Sequence, residues 1–307
     1  VTSTTLARHL ARCIGPYGSV EEHAPFGART TYRVGGAAAI YVHIIDLRGL
    51  VALAGQLGDA PSITVLGNGS NLLVADEGTS GVVLSLDGLD AVTIEGTTVT
   101  AAGGADLPKV ARAAVEAGLS GFTWAVGVPG TIGGAVAMNA GGHGSDMAAN
   151  LTDVTLVDLV GERTGVVPGS ALDLSYRHSN VQSGQVVASA TLSLERGTVA
   201  DERLTLREIV AWRRANQPGG RNCGSVFVNP EGTSAGRLIA EAGLKGFRVG
   251  GAVVSSKHAN FIQAEDGATA ADVLAVIRAV QQRVEDQAGV TLQTELRMVG
   301  FDEEAMS

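Results

Sequence analysis

Two glycine loops and three scattered polar residues are the parts of this sequence that could do chemistry. The first loop is GNGSNLL, Gly67–Leu73, directly after the apolar run Ile63–Leu66. The second is GVPGTIGGAVAMNAG, Gly127–Gly141. Neither is G-x-G-x-x-G or G-x-x-x-x-G-K-[ST], so a standard dinucleotide fold and a P-loop are not supported. Glycine still lets a backbone reach positive φ and approach a ligand closely, and successive N–H groups can then form a nest suited to pyrophosphate. Asn68, Ser70 and Asn71 add neutral hydrogen-bonding groups, and Pro129 stiffens the second loop. Either loop alone could be an ordinary surface turn; the pair at this spacing is more specific.

Ser225 lies in RNCGSVFVNP, outside any G-x-S-x-G elbow, so an acyl-transfer nucleophile is poorly supported and a turn role is open. Arg177, in SYRHS, could be an exposed arginine near a turn, although a guanidinium fork suits a carboxylate. Glu295, in TELRMVG, could pair weakly with Arg297 on a surface. Buried, the same carboxyl would have a raised pKa and could hold a proton.

The elements that must position these residues follow from periodicity. Short β-rich runs at Ile63–Leu66, Val82–Leu86, Val92–Glu95, 97–101, Val154–Leu159 and Val186–Leu194, separated by Gly, Asn and Asp, predict strands joined by turns. Asp106 predicts a helix cap, Leu107, Val110, Ala111, Ala114 and Val115 one apolar face, and Gly118 its end. A helix is expected over about 202–215, with a break at Pro218 and Gly219–Gly220. Ser234 precedes a short helix ending near Gly243. Thr269 and Asp272 form a capping-box-like pair ahead of the stripe Val273, Ile277, Val280, Val284, which Gly289 ends. Residues 1 to about 60 combine an amphipathic start with a turn-rich segment.

Bulk properties set limits. The 307 residues, 45% hydrophobic and 17% charged, suffice for two or three packed subdomains and argue against wholesale disorder. A net charge of −9 gives no sign of nucleic-acid binding. Between Arg207 and Lys257, however, eight Arg or Lys face three Glu, either a solvated face or a surface for a small anion. Cys13 and Cys223 form no C-x-x-C pair, so neither a disulfide framework nor a zinc site is indicated, and no metal is expected. The N-terminus lacks a signal-peptide core, and no apolar run approaches the about 18 residues that span a bilayer. A cytoplasmic protein is the expectation.

Thr31-x-x-Val34-Gly35-Gly36, GNGSNLL and GVPGTIGGAVAMNAG together resemble the FAD-binding half of the UDP-N-acetylenolpyruvoylglucosamine reductase family. The likeness runs from about Arg29 to Gly300. It implies an α+β chain with the vanillyl-alcohol-oxidase-type FAD-binding fold in two subdomains, about 1–60 and 61–200, and a C-terminal α+β substrate domain, about 201–307. Non-covalent FAD would be held by Thr31, Val34, Gly35, Gly67, Asn68, Gly69, Ser70, Asn71, Gly127, Pro129, Gly130, Thr131, Ile132 and Gly134. NADPH would be the co-substrate. The substrate would be UDP-N-acetylglucosamine enolpyruvate, with no nucleic acid or membrane partner and a monomeric chain.

The resemblance also assigns roles. Ser225 matches the family serine that protonates the substrate carbon, Arg177 the arginine that steadies the developing enolate through the substrate carboxylate, and Glu295 a carboxyl at the enolpyruvate. Asn229 matches a substrate contact, Tyr176 is placed near flavin or substrate, and Lys257, His258 and Asn260 face the UDP-sugar. Arg213, Arg214 and Arg237 are candidate diphosphate contacts. The chain departs from the family with Thr30 where Asn is usual and Val228 where Lys or another polar residue is usual. No insertion lies between Ser179 and Val187, which matches the branch lacking a tyrosine-bearing loop. Two rivals stand beside this reading: an FAD-dependent oxidase of the same superfamily, and a catalytically silent sugar-nucleotide binder.

Overall fold

Small and β-branched residues dominate 98–102, Leu151–Asp158 and Gln185–Ser193. In the computed structural model these three segments are the inner strands of a five-stranded antiparallel sheet. Arg163–Pro168 and Val92–Glu95 form its edges. The structure describes residues 3–302 apart from Asp59, Pro61 and Glu162. The chain divides into two units, each discontinuous in sequence. Unit 1 is Val1–His23, Ala39–Asn68 and Gly81–Arg213; unit 2 is Ala24–Ala38, Gly69–Ser80 and Arg214–Ser307.

In unit 1 both faces of the five-stranded sheet are buried. On one, Val99, Ala101, Val154, Ala190 and Leu192 pack with helix α3 (Leu107–Glu116), whose apolar stripe is the one read from the sequence. Asp106 caps α3 by accepting from the Lys109 N–H at 3.0 Å, and Gly118 follows at φ 70°. On the other face, Val157, Val186 and Ala188 meet Ala7, Leu10 and Ile14 of α1 (Ser3–Ile14) and Leu50 of α2 (Leu47–Ala52). That second core also holds a sheet in the order Gly18–Ala24, Ala38–Ile44, Thr79–Ser85, Ile63–Leu66, the last two parallel. The unit adds α4 (Ile132–Ala137) and most of α5 (Val199–Asn216).

Unit 2 packs around two helices, α6 (Ala235–Glu241) and α7 (Ala270–Ala288). The expected stripe Val273, Ile277, Val280 and Val284 is buried, with Val276 beside it. It covers a small antiparallel sheet of Arg248–Val249, Ala252–Val254 and Ile262–Ala264. The capping box of Thr269 and Asp272 is present, and the Asp76 carboxylate adds a second cap by accepting from the Ala270 and Ala271 N–H groups at 2.9 and 3.0 Å. Leu72–Val74 pairs in parallel with Arg297–Val299, joining the end of the first glycine loop to the segment that follows Glu295. The α+β class read from the sequence is the class observed.

Two expectations are revised. The second glycine loop, Gly127–Gly141, is not loop throughout: Ile132–Ala137 forms α4, capped by Thr131, because Ile132, Ala135 and Val136 are buried and outweigh the helix penalty of Gly133 and Gly134. The first sixty residues hold two seven-residue strands, Gly18–Ala24 and Ala38–Ile44, where only an amphipathic start and turns were expected.

Candidate active site

In unit 1 the second glycine loop lies against the start of the first. The Asn68 amide donates to the Gly130 carbonyl and to the Asp106 carboxylate, each at 3.1 Å. A Cβ on Gly67 would come within 2.5 Å of the Thr131 hydroxyl, so this contact requires glycine. Ladder bonds from Leu107 N–H to Gly130 and from Ile132 N–H to Ala105, both 2.9 Å, fix the second loop to the beginning of α3. Gly130 holds a φ of 148°. Among the described residues, the N–H groups of Asn68, Gly130 and Thr131 meet no protein acceptor. Neither does the buried indole N–H of Trp124, on the turn Thr123–Gly127 that leads into the loop. A set of unmatched donors on glycine-lined backbone suits a pyrophosphate-bearing cofactor, so these residues fit FAD.

The rest of the loop positions Arg177. Asn139, only 2% exposed and at φ 38°, donates to the Ser175 carbonyl at 2.9 Å and to Asp146 at 3.2 Å, and accepts from the Ala148 N–H at 3.0 Å. Ser175 and His178 close a tight hairpin through reciprocal backbone bonds of 3.1 and 3.0 Å, with Tyr176 and Arg177 at its tip. The Ser179 hydroxyl ties the hairpin to the Ala137 carbonyl at 2.7 Å. Arg177 sits at φ 57°, donates to the Gly141 carbonyl at 3.3 Å and lies 5.2 Å from the Tyr176 ring centroid. An arginine in the left-handed region is uncommon, and here the surrounding bonds hold it there. Tyr176 is exposed.

In unit 2, the segments that carry Ser225 and Glu295 pair with each other although seventy positions separate the two residues. The Glu295 N–H donates to the Val226 carbonyl at 2.8 Å, the Val228 N–H donates to Gln293 at 2.9 Å, and Phe227 bridges Thr294. Asn260, 3% exposed, clamps the serine segment: its carbonyl accepts from the Phe227 N–H at 2.9 Å and its amide donates to the Phe227 carbonyl at 2.8 Å. Both ends of that side chain are therefore committed to backbone, a role the sequence did not reveal. The Asn71 side-chain amide donates to the Glu295 backbone carbonyl at 3.1 Å, and the Asn71 backbone carbonyl accepts from the Arg297 backbone N–H at 2.9 Å. Burial pushes the neighbouring Cys223 thiol up to about 12, with the Glu295 charge adding to the effect, so this thiol stays neutral and unreactive.

The other sequence-predicted residues distribute as follows. Gly67, Asn68, Gly127, Pro129, Gly130, Thr131, Ile132 and Gly134 belong to unit 1, with Tyr176 and Arg213. Thr31, Val34, Gly35, Gly69, Ser70 and Asn71 belong to unit 2. There the Thr31 N–H and hydroxyl both donate to the Gly69 carbonyl, at 3.1 and 3.3 Å, and a Cβ on Gly35 would strike the Val74 carbonyl at 2.2 Å. Thr30, the departure from the usual Asn, is buried; its hydroxyl donates to Gly27 at 2.8 Å and accepts from the Arg33 N–H at 3.3 Å, so it serves the turn. Asn229 accepts from the Ala235 N–H at 3.1 Å. Arg237 pairs with Glu241 one turn away on α6, and Lys257 reaches the Arg214 carbonyl. His258 packs on Phe261 with ring centroids 4.7 Å apart; burial first, then Lys245, lowers its pKa. Among the described residues no group of three or more His, Cys, Asp or Glu could hold a metal, and no helix is long and apolar enough to cross a membrane.

The chain is similar to known proteins. Residues 37–165 match a family model described as FAD binding domain, and residues 216–299 match one described as the UDP-N-acetylenolpyruvoylglucosamine reductase C-terminal domain. The chain is 44% identical over 290 residues to the UDP-N-acetylenolpyruvoylglucosamine reductase of Heliobacterium modesticaldum, covering 92% of this chain and 91% of that protein. It is 40% identical over 303 residues to UDP-N-acetylenolpyruvoylglucosamine reductase 2 of Symbiobacterium thermophilum, covering 97% of each. Among solved structures, the UDP-N-acetylenolpyruvylglucosamine reductase of Thermus caldophilus matches with a TM-score of 0.81 and 34% identity, over 92% of this chain and all of that one.

Proposed function

The chain belongs to the UDP-N-acetylenolpyruvoylglucosamine reductase family, and from that premise we propose that it reduces UDP-N-acetylglucosamine enolpyruvate to UDP-N-acetylmuramate at the expense of NADPH. The reaction belongs to peptidoglycan precursor synthesis, and the enzyme works as a cytoplasmic monomer. FAD, held without a covalent bond by residues of the two glycine loops, would supply the redox chemistry, passing hydride from NADPH to the enolpyruvyl methylene.

The protein's own groups handle charge and proton. Arg177 receives the substrate carboxylate with its guanidinium fork, where negative charge grows as the double bond is reduced. Ser225 gives its hydroxyl proton to the carbon next to the methylene. A serine is a weak acid, so this step needs an acceptor as basic as the enolate that Arg177 steadies. Glu295 shares a proton with the same developing charge. Tyr176, Arg213, Asn229, Arg237, Lys257 and His258 bind the sugar nucleotide, with 201–307 as the substrate domain and 1–60 and 61–200 as the flavin-binding segments. The observation that supports this reading most is the bond from the Glu295 N–H to the Val226 carbonyl, which pairs the backbone at Glu295 with the residue after Ser225.

An absorbance spectrum with an anaerobic redox cycle tests it. The purified protein should be yellow and should lose the colour to the supernatant on denaturation. NADPH should bleach the flavin faster than NADH does, and the enolpyruvyl sugar nucleotide should restore the absorbance. A colourless protein indifferent to NADPH would mark a silent binder. Flavin that stays with the denatured chain and reoxidises rapidly in air would mark an oxidase.

A further inference from the structure

The two tryptophans of the chain sit in opposite surroundings. Trp124 is 3% exposed in the core of unit 1, whereas Trp212, near the end of α5, is 48% exposed. Trp212 lies three residues after Ile209, which is buried, so the indole stands beside the helix face that packs rather than opposite it. It meets His143 edge to face, with ring centroids 5.1 Å apart and planes at 87°.

His143 is built onto the second glycine loop. It occupies the left-handed region at φ 53° in the turn that follows the loop. Its ring atoms Cδ2 and Nε2 would lie 3.2 Å from a Cβ placed on Gly127, and Ile209 Cγ2 would lie at 3.1 Å, so Gly127 leaves space that the imidazole and α5 use. Partial loss of solvent, and then the charge of Arg213, lower the His143 pKa, which keeps the ring neutral near pH 7. Burial likewise lowers the pKa of Arg213, the residue after Trp212, marking a cation held with reduced hydration. Two neutral aromatic rings next to a partly dehydrated guanidinium offer stacking and phosphate binding together.

We propose that Trp212 and His143 form a stacking platform for the base of a nucleoside phosphate, with Arg213 taking the phosphate. The proposal rests on the reductase reading, whose two substrates, a uridine diphosphate sugar and NADPH, both carry this chemistry.

The test uses FAD-loaded Trp212→Ala and Trp212→Phe enzymes. Removing a base-stacking ring should raise the KM of one substrate about 5- to 150-fold and leave kcat nearly unchanged, and phenylalanine should restore most of the loss. In parallel, UDP and adenosine 2′,5′-bisphosphate are titrated into the wild type. One of them should quench tryptophan emission, and the quench should vanish in Trp212→Phe, which retains Trp124 alone. Quenching by UDP assigns the platform to the sugar nucleotide; quenching by the bisphosphate assigns it to NADPH. Unchanged KM for both substrates, quenching by neither probe, or a Trp212→Ala enzyme purified without flavin would each overturn the proposal, the last by giving the platform to the cofactor. If the wild type failed to reduce the enolpyruvyl substrate, the reductase reading would fall, while the two titrations would still decide the platform.

Discussion

Asn139 in unit 1 and Asn260 in unit 2 are both buried, and each steadies a segment that carries a candidate catalytic residue, but they do so by different means. Asn260 spends both ends of its amide on one residue, Phe227, and so acts as a one-residue rung beside Ser225. Asn139 spreads its bonds over Ser175, Asp146 and Ala148, tying two segments, 146–148 and the hairpin at 175–178, to the glycine loop. The first arrangement fixes the register of one extended segment. The second fixes a hairpin tip that holds Arg177 in a left-handed conformation. The contrast extends to the chemistry of each unit. In unit 1 the candidate catalytic side chain, Arg177, sits on a strained backbone, whereas in unit 2 Ser225 and Glu295 lie on segments whose backbone is paired in an ordinary way.

That contrast can be broken by substitution. The largest effects should come from the charged partners. Arg177→Ala and Glu295→Ala should each slow flavin reoxidation by the enolpyruvyl substrate about 10²- to 10³-fold, the usual cost of deleting one group aimed at developing charge. Flavin reduction by NADPH should stay near wild-type speed. Normal single-turnover reoxidation in either variant would remove that residue from the mechanism. Next comes Gly67→Ala, whose new methyl would meet the Thr131 hydroxyl at 2.5 Å. A loss of about 1–3 kcal/mol in stability and a lowered flavin content at purification are expected, read by thermal melting and visible absorbance. A fully yellow, unshifted protein would show that the loop does not need glycine there.

The two asparagines should then separate. Asn260→Ala leaves a buried N–H and carbonyl of Phe227 unmatched and should cost about 2–5 kcal/mol. Asn139→Ala should cost a similar amount, and it should also impair the Arg177 step in the enzyme that remains folded. Equal kinetic damage to both half-reactions in the two variants would erase the distinction. The smallest effect concerns pH. His143 and His258, one in each unit, have folded pKa values below the usual 6.5, so between the two values the unfolded chain binds more protons. Stability from both is present above about pH 6.5 and is lost as pH falls through the folded values. His258→Gln should flatten part of that acid-side decline in melting temperature, and an unchanged slope would contradict it.

Much of the scaffold was legible because its signals are local. Asp106, Thr269, Asp272, Gly118 and Gly289 mark helix ends by their own side-chain or φ preferences, and they do so here. α4 was not legible, since Gly133 and Gly134 argue against a helix and only the burial of Ile132, Ala135 and Val136 restores it. The strand Gly18–Ala24 is mostly exposed and has a single large apolar residue, Val20, so it lacks the apolar alternation that would announce it. The candidate site was readable as residue types in loops, and largely through resemblance. Its assembly was not: a rung between residues 226 and 295, and the clamps from Asn139 and Asn260, depend on tertiary pairing that leaves no periodic trace.

Stopped-flow absorbance on FAD-loaded Ser225→Ala, following each half-reaction separately, tests the central claim most directly. Reduction by NADPH should match the wild type, and reoxidation by UDP-N-acetylglucosamine enolpyruvate should be slower by about 10²- to 10⁴-fold, the range for loss of a general acid. Reoxidation at the wild-type rate would show that another group delivers the proton.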